Sequence, residues 1–159
     1  MSSRVIVSAC LLGRPCRYDG AIKTSEATQD LVERIRGQGG EMISVCPEEL
    51  GGLGTPRPAA ELRGGDGAAV LAGAARVERI SDGQDVTAAF LRGARRAWSL
   101  GRGAETALLK ARSPSCGCGE AHRDGGPRPG DGVFAALLRA EGVEVMTDED
   151  ILSQEEESN

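Results

Sequence analysis

Three short apolar runs in this chain each end on a cysteine-bearing loop. Val5-Ile6-Val7 leads into Ser8-Ala9-Cys10, and Met42-Ile43-Ser44-Val45 leads into Cys46-Pro47-Glu48-Glu49-Leu50-Gly51-Gly52. Ala107-Leu108-Leu109 leads into Lys110-Ala111-Arg112-Ser113-Pro114-Ser115-Cys116-Gly117-Cys118-Gly119. Runs this short and this apolar read as buried strands. Strands separated by helical patterns give an α/β layered fold with a mainly parallel sheet, and such sheets bind ligands beyond the carboxyl ends of their strands. The expectation is a single Rossmann-like domain, its parallel sheet flanked by helices and its cysteine loops at one edge. There Cys10, Cys46 and Cys116 would converge on a shared ligand.

The intervening segments supply the helices. Ser25 is placed to cap a helix in which Ala27, Leu31, Val32 and Ile35 recur at helical spacing, and Gly37 with Gly39-Gly40 stops it. With the strand at 42–45 this completes a right-handed β-loop-α-β unit. A second helix begins at Asp85-Val86-Thr87, its apolar face Val86, Phe90, Ala94, Ala97 and Trp98, with Arg92, Arg95 and Arg96 towards solvent. Val133-Phe134 and Leu137-Leu138 mark a third helix, Gly142 its stop, and 143–146 a fourth strand. Between these lie a long glycine- and proline-rich loop from Cys46 to Arg57 and an irregular stretch from Glu61 to Asp66. Ala68–Ala74 and Ala75–Ile80 read as two edge strands or an alanine-rich linker, and Glu120–Asp131 as a polar excursion. The folded domain is expected over 1–147, with an acidic tail over 148–159 that is disordered at its end.

Composition limits the function. A chain of 159 residues suits one domain with a true core. A net charge of -5 and 3% aromatic residues argue against a general nucleic-acid groove, although Arg14, Arg17 and Lys23 form a local basic cluster suited to a small anionic or heterocyclic substrate. No stretch approaches the apolar length of a membrane span, and the first residues lack a secretory pattern. Five cysteines without an export signal fit a reducing compartment, so a cytoplasmic location is expected.

Three thiolates at three strand ends suit zinc, copper(I) or an iron-sulfur cluster, and leave a coordination position open; alternatively they are simply buried cysteines. Glu48, two residues after Cys46, is within reach of whatever Cys46 binds and is a candidate general acid or base. Its plainer reading is a turn cap or a partner for Arg57, and the adjacent Glu49 serves as its control. Ser113 and Ser115 flank Pro114 and either hydrogen-bond a substrate or cap the loop backbone. The only histidine, His122, lies in the polar excursion, which argues against a hydrolase triad. Neither a G-x-G-x-x-G nor a P-loop is present.

Taken together, Ser8 to Gly13, Cys16-Arg17-Tyr18-Asp19-Gly20, Cys46-Pro47-Glu48 with Gly51-Gly52-Leu53 and Thr55-Pro56-Arg57, Asp85-Val86-Thr87, and Lys110 to Gly117 resemble the signature of the DUF523 family. Its characterised members are thiouracil desulfidases, and the resemblance runs from Val5 to Met146. It implies an enzyme that removes sulfur hydrolytically from a thiolated uracil, as 2-thiouracil or a thiouridine nucleoside or nucleotide, releasing sulfide and the oxo base. It also implies a [4Fe-4S] cluster held by Cys10, Cys46 and Cys116 with one open iron. The family's glutamate falls on Glu48, its serine on Ser113 or Ser115, with Lys110 near the substrate. Cys16 matches a recurring family cysteine of structural or reserve character. The sequence departs from the family after Cys116, where Cys118-Gly-Glu-Ala-His122-Arg123 replaces a tyrosine-containing stretch; Cys118 is there a substitute ligand or a nearby thiol. The alternatives are a non-catalytic iron-sulfur or zinc-binding module, which needs the cysteines but not Glu48, and a desulfidase acting on thiolated tRNA.

Overall fold

The computed structural model describes residues 4–14, 18–19 and 25–150. Cys16, Arg17, Lys23 and the tail beyond residue 150 lie outside the described residues, and with them the expectations placed there. In chain order the elements are β1 (Arg4–Ser8), a 3-10 turn (Ala9–Leu12), α1 (Glu26–Gly37), β2 (Glu41–Val45), α2 (Pro47–Leu50), β3 (Ala60–Arg63) and α3 (Gly67–Leu71). They continue with β4 (Arg76–Arg79), α4 (Thr87–Gly101), β5 (Thr106–Leu109), β6 (Glu120–Arg123), β7 (Gly126–Pro129), α5 (Val133–Ala140) and β8 (Glu144–Thr147).

β2, β1, β5 and β8 form, in that order, a sheet in which every pair is parallel. Successive side chains on a strand face opposite ways, so both faces of this sheet must be covered. Val5, Val7 and Leu108 pack on one face with Leu31 and Ile35 of α1, while Ile6, Ala107 and Leu109 join the larger core of Phe90, Ala94, Phe134 and Leu138 from α4 and α5. Ser25 caps α1 as expected, its hydroxyl accepting from Thr28 N at 3.2 Å. Among the described residues no helix is long and apolar enough to cross a membrane.

A second sheet, ordered β4-β3-β6-β7, corrects the reading of the middle of the chain. β3 and β4 pair antiparallel, β6 and β7 form an antiparallel hairpin, and Leu62 with Arg123 joins them. The irregular stretch and the polar excursion are thus strands, and Gly67–Leu71 is a helix. Ala75–Ile80 contains the strand β4, as one of the two readings had it. The hairpin turns at Asp124 and Gly125, both with positive φ, the pairing a two-residue primed turn requires. Glu61 is buried, and its carboxylate accepts from Gly125 N at 2.9 Å.

The loop from Cys46 to Arg57 opens with a helical turn, α2. Proline at its first position and two glutamates in its first turn favour helix there, though one turn is too short to leave a periodicity. α2 is clamped to α4 backbone against backbone. A Cβ on Gly93 would run into Pro47 O, and one on Gly51 into Ala89 O. Arg92 and Arg96 donate to the carbonyls of Gly51 and Leu50 at the end of α2, at 2.6 and 2.8 Å. At the start of α4, Asp85 accepts from Thr87 N at 2.8 Å and the Thr87 hydroxyl accepts from Val77 N of β4, also at 2.8 Å.

Candidate active site

β1, β2 and β5 are parallel neighbours, so their carboxyl ends lie side by side. Cys10 sits in the turn after β1, Cys46 directly after β2, and Cys116 in the loop after β5. All three are buried and all three line one cavity of about 410 Å³. Lys110 N donates to Ser8 Oγ at 3.0 Å, tying the ends of β5 and β1 together.

The Cys116 loop is held by α5. A helix start has main-chain N–H groups without partners in the helix, and here the loop supplies them. Gly132 N donates to Gly117 O at 2.7 Å, Val133 N to Pro114 O at 2.9 Å and Phe134 N to Ser115 O at 2.8 Å. Gly132 permits this approach, because a Cβ there would meet the Ser115 backbone. Within the loop, Ser113 Oγ accepts from Cys116 N at 2.7 Å.

Glu48, in the first turn of α2, lines the same cavity, and both its oxygens are engaged. Arg57 Nε lies 3.1 Å from Oε1 and the Ser115 hydroxyl donates to Oε2 at 2.9 Å. Ser113 Oγ is 3.4 Å from Ser115 Oγ. The Arg57 side chain is only 7% exposed. Burial works against its charge, but Glu48 outweighs this and raises its pKa further. Pairing with Arg57 and membership of the site were alternatives in the sequence; the geometry combines them. Glu49 is turned to Arg14 at 2.8 Å and to the Thr55 hydroxyl, and does not line the cavity.

The other residues that the sequence singled out divide between the cavity and its surroundings. Lys110 lines the cavity, 3.6 Å from Asp148 Oδ2, and Asp148 Oδ1 accepts from Ala111 N at 2.8 Å. Residues 148–150 are helical and Asp148 is buried. Its contribution went unread, although Thr147-x-x-Asp150 is a capping-box pattern: Thr147 N donates to Asp150 and Asp150 N to Thr147 Oγ1. His122 reaches the cavity from β6. Cys118 does not line it; its thiol faces Val145 O and Arg139, both at 3.9 Å.

Burial pushes the Cys116 thiol up to about 12; hydrogen bonds from Ser8 and Ser115 pull the other way, while Cys46 and Glu48 add to the rise. Burial thus favours the protonated thiol, and a cation bound at the sulfur would work in the opposite direction. Among the described residues no three His, Cys, Asp or Glu side chains are close enough to hold a single metal ion. Three thiols lining one cavity are a soft donor set, of the kind that suits zinc, copper(I) or an iron-sulfur cluster.

A model of the 2-thiouracil desulfurase family matches residues 5–150. The Bacillus subtilis (strain 168) protein YbbK, described as uncharacterized, is 38% identical over 152 residues, covering 92% of this chain and 97% of its own. Among solved structures, the [4Fe-4S]-dependent thiouracil desulfidase TudS aligns with a TM-score of 0.77 and 40% identity, over 96% of this chain and 95% of that one.

Proposed function

The chain belongs to the 2-thiouracil desulfurase family, and from that premise we propose that it hydrolyses the carbon-sulfur bond of a thiolated uracil, using a [4Fe-4S] cluster held by Cys10, Cys46 and Cys116. The observation that carries the proposal is one cavity in which three buried thiols adjoin the hydrogen-bonded chain Ser115, Glu48, Arg57. A cluster bound by three protein thiolates supplies, at its remaining iron, a Lewis acid for the thiocarbonyl sulfur.

The protein's own groups provide the rest. Glu48 takes a proton from the attacking water and returns it as sulfide leaves. Arg57 fixes the carboxylate through Oε1, so the proton goes to Oε2 once the Ser115 hydroxyl lets go of it. The Ser115 hydroxyl, which donates to Glu48, is in position to exchange that bond for one to the heterocycle. Ser113 holds the Cys116 amide and keeps the loop in shape. The reaction balances as water in and hydrogen sulfide out, C=S becoming C=O without net electron transfer. A cytoplasmic location and a free small molecule as substrate complete the reading.

The test is a paired assay on anaerobically reconstituted protein: iron and acid-labile sulfide per chain, then sulfide release from 2-thiouracil and from 4-thiouridine monophosphate. Cluster formation with release is the expected result, and Cys10→Ala, Cys46→Ala and Cys116→Ala should each lose iron. A stable cluster without release from either compound would favour the non-catalytic module, and unchanged iron in all three variants would refute the shared ligand set.

A further inference from the structure

Among the described residues four buried side-chain nitrogen or oxygen atoms lack a hydrogen-bond partner: Glu49 Oε1, Arg79 Nε, Arg123 Nε and His122 Nδ1. The first three belong to ion-paired side chains, Glu49 with Arg14, Arg79 with Asp82 and Arg123 with Asp124. His122 has no such compensation. A buried polar atom left unpaired costs the desolvation of that group, so a partner that satisfied it, a water or a ligand group, would be stabilising.

The position of His122 identifies the partner. Its main-chain N donates to Arg112 O at 2.9 Å, which fastens β6 to the serine-cysteine loop at its first turn. Arg112 itself has φ 65, a left-handed conformation held by this contact directly before Ser113. The second sheet and its flanks give the cavity Ala59, Ala60, Ile80 and His122, and of these His122 alone has a polar side chain. The thiols come from the edge of the first sheet. A heterocycle with its sulfur among the thiols would leave its other polar edge for the rest of the lining, which includes Tyr18, Arg57 and Lys110 and to which the second sheet contributes His122. Nδ1 is buried as the ring stands, and because histidine χ2 is broad and two-fold a turn of the ring would move that nitrogen to the opposite edge.

We propose that His122 positions the substrate by hydrogen-bonding the ring carbonyl of the pyrimidine, the polar group that is not on the carbon bearing sulfur. This rests on the desulfidase reading above. A neutral imidazole carries one donor and one acceptor, matching the amide-like edge of a uracil. The site thereby selects thiolated bases that retain that edge.

The experiment compares wild type, His122→Ala and His122→Gln, each reconstituted anaerobically, with 2-thiouracil and with pyrimidine-2-thione, which lacks the ring carbonyl. Iron content and Tm are measured on the same samples, and uracil binding is followed by calorimetry. His122→Ala is expected to raise KM for 2-thiouracil and Kd for uracil about five- to tenfold, leaving kcat, iron and Tm unchanged and KM for pyrimidine-2-thione unmoved. His122→Gln should recover part of the loss. Equal KM and Kd values in wild type and His122→Ala, with turnover intact, would overturn the inference and leave the desulfidase reading standing. Uracil binding that depends on His122 without sulfide release would do the reverse, and loss of both would remove both.

Discussion

At the scale of single residues the cavity separates neighbours that the sequence makes look alike. Glu48 faces the thiols and Glu49 faces Arg14. Glu48→Gln should lower kcat by about 100- to 10,000-fold with iron content intact, while Glu49→Gln should leave turnover near wild type; steady-state sulfide release with iron analysis checks both. Ser113 and Ser115 divide in the same way. Ser113 accepts from the Cys116 amide and Ser115 donates to Glu48. Ser115→Ala is expected to reduce kcat about 100-fold with iron content intact. Ser113→Ala should instead cost about 1 kcal/mol of stability, read from denaturant unfolding. That Cys10, Cys46, Cys116 and Glu48 would meet at one place was legible from their positions after apolar runs, and the four do line one cavity. The bond from Ser115 to Glu48 was not, because nothing local in either segment signals a contact made only by tertiary packing.

Elements explain why those residues hold their places. α2 carries Glu48 and rests on α4 through Gly93. Gly93→Ala should cost about 1–3 kcal/mol by overpacking and should also depress turnover, since α2 can only move away with Glu48 on it; Gly54→Ala, where the added methyl meets open space, is the control in the same melting and activity assays. At the head of α4, Asp85 is held below its usual value, first by the hydrogen bond from Thr87 N and then by the Thr87 side chain. Its unfolded form binds a proton at a higher pH than its folded form. The contribution is therefore complete above the ordinary value of 3.8 and is lost as pH falls through the lower folded value. Asp85→Asn should be less stable than wild type at neutral pH, the two Tm values converging in acid. The long elements were readable in advance: α1, α4 and α5 have enough turns to show a period, and β1, β2 and β5 each carry a short run of mainly apolar residues. The second sheet was not. Ala-Glu-Leu-Arg in β3 and Gly-Pro-Arg-Pro in β7 are four residues each, one of them half proline, and only Asp124-Gly125 announces the hairpin.

For the molecule as a whole, surface charge bears on the choice between a free base and thiolated tRNA. The net charge is -5, and the described cations at the cavity face their own acids: Arg57 with Glu48, Lys110 with Asp148, Arg112 with Glu149. KM for 2-thiouracil should be nearly constant between about 50 and 200 mM salt, whereas a tRNA substrate engaging several phosphates would lose about 1,000-fold or more in affinity over that range; a salt series of initial rates decides it. The chain also threads its site in an order that governs its making. Cys10 and Cys46 are synthesised early and Cys116 late, and the carbonyls beside Cys116 find their donors only in α5, at residues 132–134. An emerging chain therefore cannot offer the three thiols together until nearly all of it has left the ribosome. On the proposed ligand set, cofactor loading belongs to the finished polypeptide, and full-length protein purified without metal should gain activity on supply of iron and sulfide with no new synthesis of the chain.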